Sequence, residues 1–182
     1  MAKELTAEEK QRGVLWRMGL GAVAAIVVLL AGSFWNPLAL PEGAEVDIRV
    51  RVLALASLVL AVFLAISIGR MASHRFFTPA DIDGGGMTAG TEQAKMLQSL
   101  LQNTLEQAIL AFFAYVAWAV FMPQSTLMVI VFSALAFGVG RIQFFASYHR
   151  GAPYRGMGFA LTFYPSLLML GVVLVWLVLS LF

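Results

Sequence analysis

The chain has 182 residues, of which 60% are hydrophobic and only 12% charged, about half the charged share of an ordinary soluble domain. So few polar residues cannot cover so much apolar surface in water, and the solvent implied is a lipid bilayer. There is no cysteine, which excludes disulfides, thiolate metal sites and a cysteine nucleophile, while the net charge of +2 says less than its distribution.

The segment Met1–Arg12 is charged and mixed in sign. No small-residue cleavage site follows it, which argues against a cleavable leader. Thr6 with Glu9 fits a capping box and predicts a helix start. A first apolar span is expected from about Val14 to Trp35. Trp16 and Trp35 lie 19 residues apart, or roughly 28 Å along a helix, close to the hydrocarbon thickness. Tryptophan favours both interfaces, so this pair brackets the membrane.

Asn36–Glu45 contains Pro and Gly and reads as a loop. A second span is expected over Val50–Gly69, where Ala61, Ala65 and Gly69 recur at four-residue spacing and permit close helix contact. Arg70–Gly90 reads as a polar connection, and Asp83–Gly90 (DGGGMTAG) within it as a mobile loop. That glycine run lacks the preceding strand and the following Lys-Ser/Thr of a phosphate-binding loop. The third span starts in water near Glu92, enters the membrane around Leu100 and ends near Met122–Pro123. The fourth covers about Leu127–Phe145 and the fifth Gly158–Phe182. The short uncharged turn Met122–Ser125 predicts that the third and fourth spans form an antiparallel hairpin.

Five crossings divide the cations unevenly. Lys3, Lys10, Arg12, Arg17, Arg70, Arg75, Lys95, Arg141, Arg150 and Arg155 fall on the N-terminal side, and Arg49 and Arg51 on the other: ten against two, all twelve of the Lys and Arg residues. Positive loops stay in the cytoplasm, so the N-terminus is expected inside and the C-terminus outside. In a bacterium this would be the inner, plasma membrane.

Ionisable groups at membrane depth need a physical reason. One set is Gln102, Asn103, Glu106 and Gln107 on the third helix. Asn103 and Glu106 are three apart and share a helix face. The other is Arg141, Tyr148 and Arg155, with His149 and Arg150 between. Arg141 and Tyr148 are seven apart, on one face of the fourth helix. Both sets belong to the same leaflet and can meet, and a Glu106–Arg141 ion pair is expected. Two plainer readings stay open: Arg and Tyr at helix ends can be snorkelling anchors, and Asn and Glu can simply bond a neighbouring helix. His74 and His149 lack metal-ligand spacing, so no metal is expected, nor is a nucleic-acid partner. A transporter or channel is disfavoured, since its ionisable groups would lie near the midplane and no inverted repeat is visible.

At these residues the chain resembles the MAPEG family, the membrane-associated proteins of eicosanoid and glutathione metabolism. The likeness covers roughly Val50–Phe182. It rests on Asn103-Thr-Leu-Glu106 and on Arg141, Tyr148 and Arg155 in an Arg-x6-Tyr-x6-Arg pattern. It implies an all-α membrane protein with five transmembrane helices: a four-helix MAPEG-like bundle over residues 45–182 and one extra N-terminal span within residues 1–44.

The resemblance further implies a homotrimer that binds glutathione as co-substrate between subunits and takes a hydrophobic electrophile from the bilayer. Arg155 would stabilise the thiolate, a cation beside a thiol lowering its pKa. Asn103, Glu106, Arg141 and Tyr148 would hold the peptide parts of glutathione. Two positions depart from the pattern. Ser99 stands where the family usually has an arginine, with Lys95, Arg70 or Arg75 as candidate substitutes. Phe144 stands where it often has a tyrosine. The alternative is a non-enzymatic scaffold or lipid-binding protein with a degenerate glutathione site, because fold does not fix function.

Overall fold

The computed structural model describes residues 6–38, 40, 46–85 and 87–182. The chain runs through five long helices: α1 (Ala7–Phe34), α2 (Val46–Phe77), α3 (Glu92–Phe121), α4 (Met128–Ser147) and α5 (Ala152–Leu179). Each is long and apolar enough to cross a membrane. No strand occurs among the described residues, as the all-α reading requires. Lys3, Pro41–Glu45 and Gly86, which entered the charge and loop readings, lie outside the described residues.

Helix starts follow their local chemistry. Glu9 N–H donates to Thr6 Oγ1 at 3.2 Å, and Thr6 N–H donates to Glu9 Oε2 at 2.8 Å, completing the capping box expected for α1. Thr91 caps α3 by accepting from Ala94 N–H. α5 starts at Ala152 with Pro153 in its first turn, after Gly151 at φ 97°. This start is six residues before the expected start of the span at Gly158, and Arg155 lies in the first turn, at the beginning of the helix as expected.

The polar connection after Gly69 is shorter than expected. α2 continues through Arg70–Phe77, because nothing in that stretch breaks a helix before Pro79. Thr78, which precedes the proline, is extended at φ −119°, ψ 99°, as a residue before proline tends to be. The glycine-rich loop is also tied down at its base. Asp81 is buried and accepts from Thr91 N–H at 2.9 Å and Thr91 Oγ1–H at 2.6 Å, with His74 Nε2 at 2.8 Å.

α2, α3, α5 and α4 form a ring, each packed on the next, and α1 lies outside against α5 and α4. The hairpin expectation is therefore corrected. The α3–α4 turn is short, but these two helices sit diagonally across the ring with few contacts between them. The cause is close approach elsewhere: a Cβ on Gly140 of α4 would lie 2.8 Å from Gly158 O of α5. That contact draws α4 to α5. α1 docks in the same manner, with Gly21 against Ala160 and Gly32 against the Val129 backbone. Small residues let helices touch where lipid offers no hydrophobic drive for association.

The Ala61-Ala65-Gly69 stripe does not serve this purpose within the chain. All three residues are exposed, and nothing lies within 4 Å of a Cβ placed on Gly69. The stripe faces away from α3 and α4, whose partners on α2 are Val52, Ala56 and Leu60.

The core fills the end of the ring at the α3–α4 turn, around Tyr115, Trp118, Val129, Ile130 and Phe137. Trp118 Nε1–H donates to Thr126 O at 3.1 Å. Arg49 Nη1 donates to Ala119 O at 2.6 Å and Met122 O at 2.9 Å, satisfying carbonyls at the α3 C-terminus. The opposite end carries the α2–α3 loop, the α4–α5 turn and most of the arginines.

Candidate functional site

At the basic end, the start of α5 and the end of α4 bring four rings and cations into line. The Arg141 guanidinium lies 4.5 Å over the Phe144 ring. Phe144 meets Tyr148 edge-on at 5.4 Å. The Arg155 guanidinium lies 4.5 Å over the Tyr148 ring. Cation–π attraction is strongest where water is scarce, and the ladder orders Tyr148 and Arg155 without an ion pair.

Arg141 sits at the buried end of this ladder and is fully buried. Its Nη1 donates to Asn103 Oδ1 at 2.9 Å and its Nη2 to Thr162 Oγ1 at 2.9 Å. Thr162 in turn donates to Phe159 O at 2.8 Å. Arg141 thus ties α3, α4 and α5 together beside the Gly140–Gly158 contact. Phe144 offers Arg141 a ring face rather than a hydrogen-bonding hydroxyl.

The expected Glu106–Arg141 ion pair is not formed. Glu106 is exposed and accepts from Gln102 Nε2 at 2.8 Å. The helix explains this: three residues advance about 300°, so Glu106 is turned some 60° from Asn103. That rotation carries it from the bundle interior to the outer face. Gln107, four residues after Asn103, is the buried one.

Five site residues were expected, and three of them line one cavity of about 280 Å³: Asn103, Tyr148 and Arg155. Ser99 and Phe144 line it too. Arg141 supports the cavity from behind through Asn103, and Glu106 faces away. Arg155 is half-buried and sits in the first turn of a 28-residue helix. The free N–H groups and positive dipole end there add to its charge.

A second cavity of about 780 Å³ adjoins the first and shares Ser99 with it. It lies under the α2–α3 loop and is lined by Arg75, Lys95, Gln98 and Asp81 among others. Arg75 Nη2 reaches Gln98 Oε1 at 3.5 Å, one residue from Ser99. Lys95 is held by Glu92 at 2.9 Å on the exposed side of α3. Of the three candidate substitutes for the absent arginine, Arg75 and Lys95 line this cavity. Arg70 is exposed, with its guanidinium 5.7 Å over Phe145. Among the described residues no group of three potential metal ligands is found.

Thr162 and the α1 residues Val14 and Met18, which line the smaller cavity, were not singled out from sequence. Thr162 left a signal, a hydroxyl two turns past Arg155 on the same helix face. Val14 and Met18 left none, since an apolar residue in an apolar span carries no mark of what it faces.

A family model described as the MAPEG family matches residues 51–175. No curated protein and no solved structure matches the chain.

Proposed function

Because the chain belongs to the MAPEG family and is a multi-pass integral membrane protein, we propose that it is a glutathione-dependent transferase or peroxidase-like enzyme acting on hydrophobic electrophiles from the bilayer. The observation that carries this reading is the single cavity holding Asn103, Tyr148 and Arg155. Glutathione offers a thiol and two carboxylates. Arg155 and the α5 N-terminus suit a thiolate, since both favour negative charge at one point. In the larger cavity, reached past Ser99, Arg75, Lys95 and Gln98 offer donors for a carboxylate.

In the transfer step the thiol proton is released and the sulfur bonds to the electrophilic carbon. The leaving group departs with its bonding electrons. Arg155 acts before and during that step by stabilising the thiolate. Asn103 and Tyr148 position the peptide, and Arg141 keeps Asn103 in place. A homotrimer fits the same reading. Glu106 is exposed on the outer face near Leu105 and Ile109, where a carboxylate facing hydrocarbon is costly. A neighbouring subunit on that face would cover it and add Glu106 to the site. The basic end then faces the cytoplasm, where positive charge is retained.

Calorimetric titration of glutathione into the solubilised protein, with Arg155→Ala alongside, tests the proposal. Saturable binding to the wild type is expected. The variant should lose the ultraviolet signal of bound thiolate and at least about tenfold in turnover, or about 1.4 kcal/mol of transition-state stabilisation. No binding to either protein would favour the competing reading, a lipid-binding or non-enzymatic scaffold. Ser99 and Phe144 are the observations that speak for that alternative.

A further inference from the structure

The family match begins at residue 51, inside α2, so α1 lies wholly outside it. Yet α1 forms part of the cavity that contains Arg155, through Val14 and Met18. Its position there is specified by contacts along α5. At Gly156 a Cβ would sit 3.8 Å from Arg17 Cβ and 3.9 Å from Val14 Cα, so the helices meet at this point. The Arg17 guanidinium lies 5.1 Å over the Tyr154 ring, which fixes the rotation of α1 about its axis. One turn on, Gly21 closes against Ala160.

The cavity is chemically divided. Ser99, Asn103, Tyr148 and Arg155 supply its polar side, while Val14, Met18, Phe144 and Phe159 supply an apolar side. Methionine is unbranched and polarizable and adapts to irregular apolar shapes. At about 280 Å³, the space falls just under the range of ~300–1,000 Å³ that holds whole small molecules. It therefore suits the reacting part of an apolar compound, such as one aromatic ring or a short alkyl chain.

We infer that α1 supplies the acceptor wall of the site, with Met18 and Val14 selecting the apolar electrophile that meets the thiolate at Arg155. The inference rests on the glutathione reading above and adds a specificity determinant on a helix that the family match does not reach.

The test compares two probes, glutathione and S-hexylglutathione, whose alkyl chain stands for the bound electrophile. Both are titrated into the full-length wild type, Met18→Trp, Met18→Ala and Val23→Trp. Val23 lies on the exposed side of α1 and controls for a bulky residue on that helix. Met18→Trp is expected to weaken S-hexylglutathione at least tenfold while glutathione stays within about twofold of wild type. Retained glutathione binding also shows that the variant is folded. If Met18→Trp does not fold, Met18→Ala decides the matter: the preferred S-alkyl chain should lengthen. Val23→Trp should change neither probe. A wild type that binds both probes, with alkyl-chain preference indifferent to Met18, overturns this inference alone. A wild type that binds neither overturns the glutathione reading and this inference with it.

Discussion

The two ends of the helix ring are built from the same kind of apolar helix, yet they treat polar groups in opposite ways. At the α3–α4 turn, polar groups are consumed in holding the fold shut. Arg49 bonds the carbonyls that end α3, Trp118 bonds Thr126, and Trp35 stacks on Phe132 at 5.6 Å. At the basic end, Arg155 and Tyr148 point into a cavity, and Arg75 and Lys95 line a second one. An arginine therefore has no fixed meaning in this protein. Arg49 is a helix cap, Arg141 is a buried tie and Arg155, stacked on Tyr148, is a cation beside a void. What separates them is whether the neighbouring backbone and side chains leave their donors occupied.

Substitutions at each end can break or sharpen that contrast. The largest effect is expected for Gly158→Leu. A side chain there would meet the Gly140 carbonyl and the Phe144 backbone at 2.7 Å, and backbone cannot yield as a flexible side chain can. The loss should reach or exceed the upper part of the ~1–3 kcal/mol typical of overpacking, seen as failure to recover folded protein in detergent. Recovery of stable Gly158→Leu with intact ligand binding would mean that α4 and α5 do not meet as described.

Arg141→Leu comes next. It leaves Asn103 without its buried partner, at a cost of about 2 kcal/mol. It should lower the melting temperature and weaken ligand binding together, because Asn103 lines the cavity. Arg49→Ala should cost about 1 kcal/mol from lost bonds to the α3 carbonyls. It should lower the melting temperature while leaving ligand affinity unchanged. If Arg49→Ala and Arg141→Leu behaved alike on binding, the division between a closed and an open end would fail.

The smallest effect concerns the loop over the larger cavity. The Thr91 hydroxyl, then the Thr91 N–H, and to a lesser degree His74 hold the Asp81 carboxyl below its ordinary value of 3.8. A carboxyl with a depressed folded pKa stabilises fully above its unfolded pKa, and the contribution fades as pH falls through the folded one. Protection of the loop against proteolysis should therefore be flat with respect to Asp81 above about pH 4 and decline below it. Asp81→Asn should remove that acid dependence. An unchanged acid profile in the variant would mean that another group secures the loop.

Much of the architecture was legible because the bilayer imposes it. Backbone groups in hydrocarbon must be satisfied within each segment, so length, hydropathy and the Thr6–Glu9 signal located the five helices without reference to packing, while the continuation of α2 from Gly69 to Phe77 was not foreseen. Asn103, Tyr148 and Arg155 stood out by type and spacing, and the fold brings them to one cavity. Which faces meet was decided by tertiary structure alone. Periodicity placed Glu106 near Asn103, but a 60° rotation separates interior from exterior. The short turn suggested that α3 and α4 pair, yet the Gly140–Gly158 contact pulls α4 to α5. The alanine and glycine stripe on α2 is not used within the chain, whereas Gly21 and Gly32 of α1 close against Ala160 and Val129. The reason is that lipid-facing and core-facing surfaces of a membrane helix are both apolar. Composition therefore fixes that a segment crosses the bilayer, while shape complementarity between helices fixes which side of it looks inward.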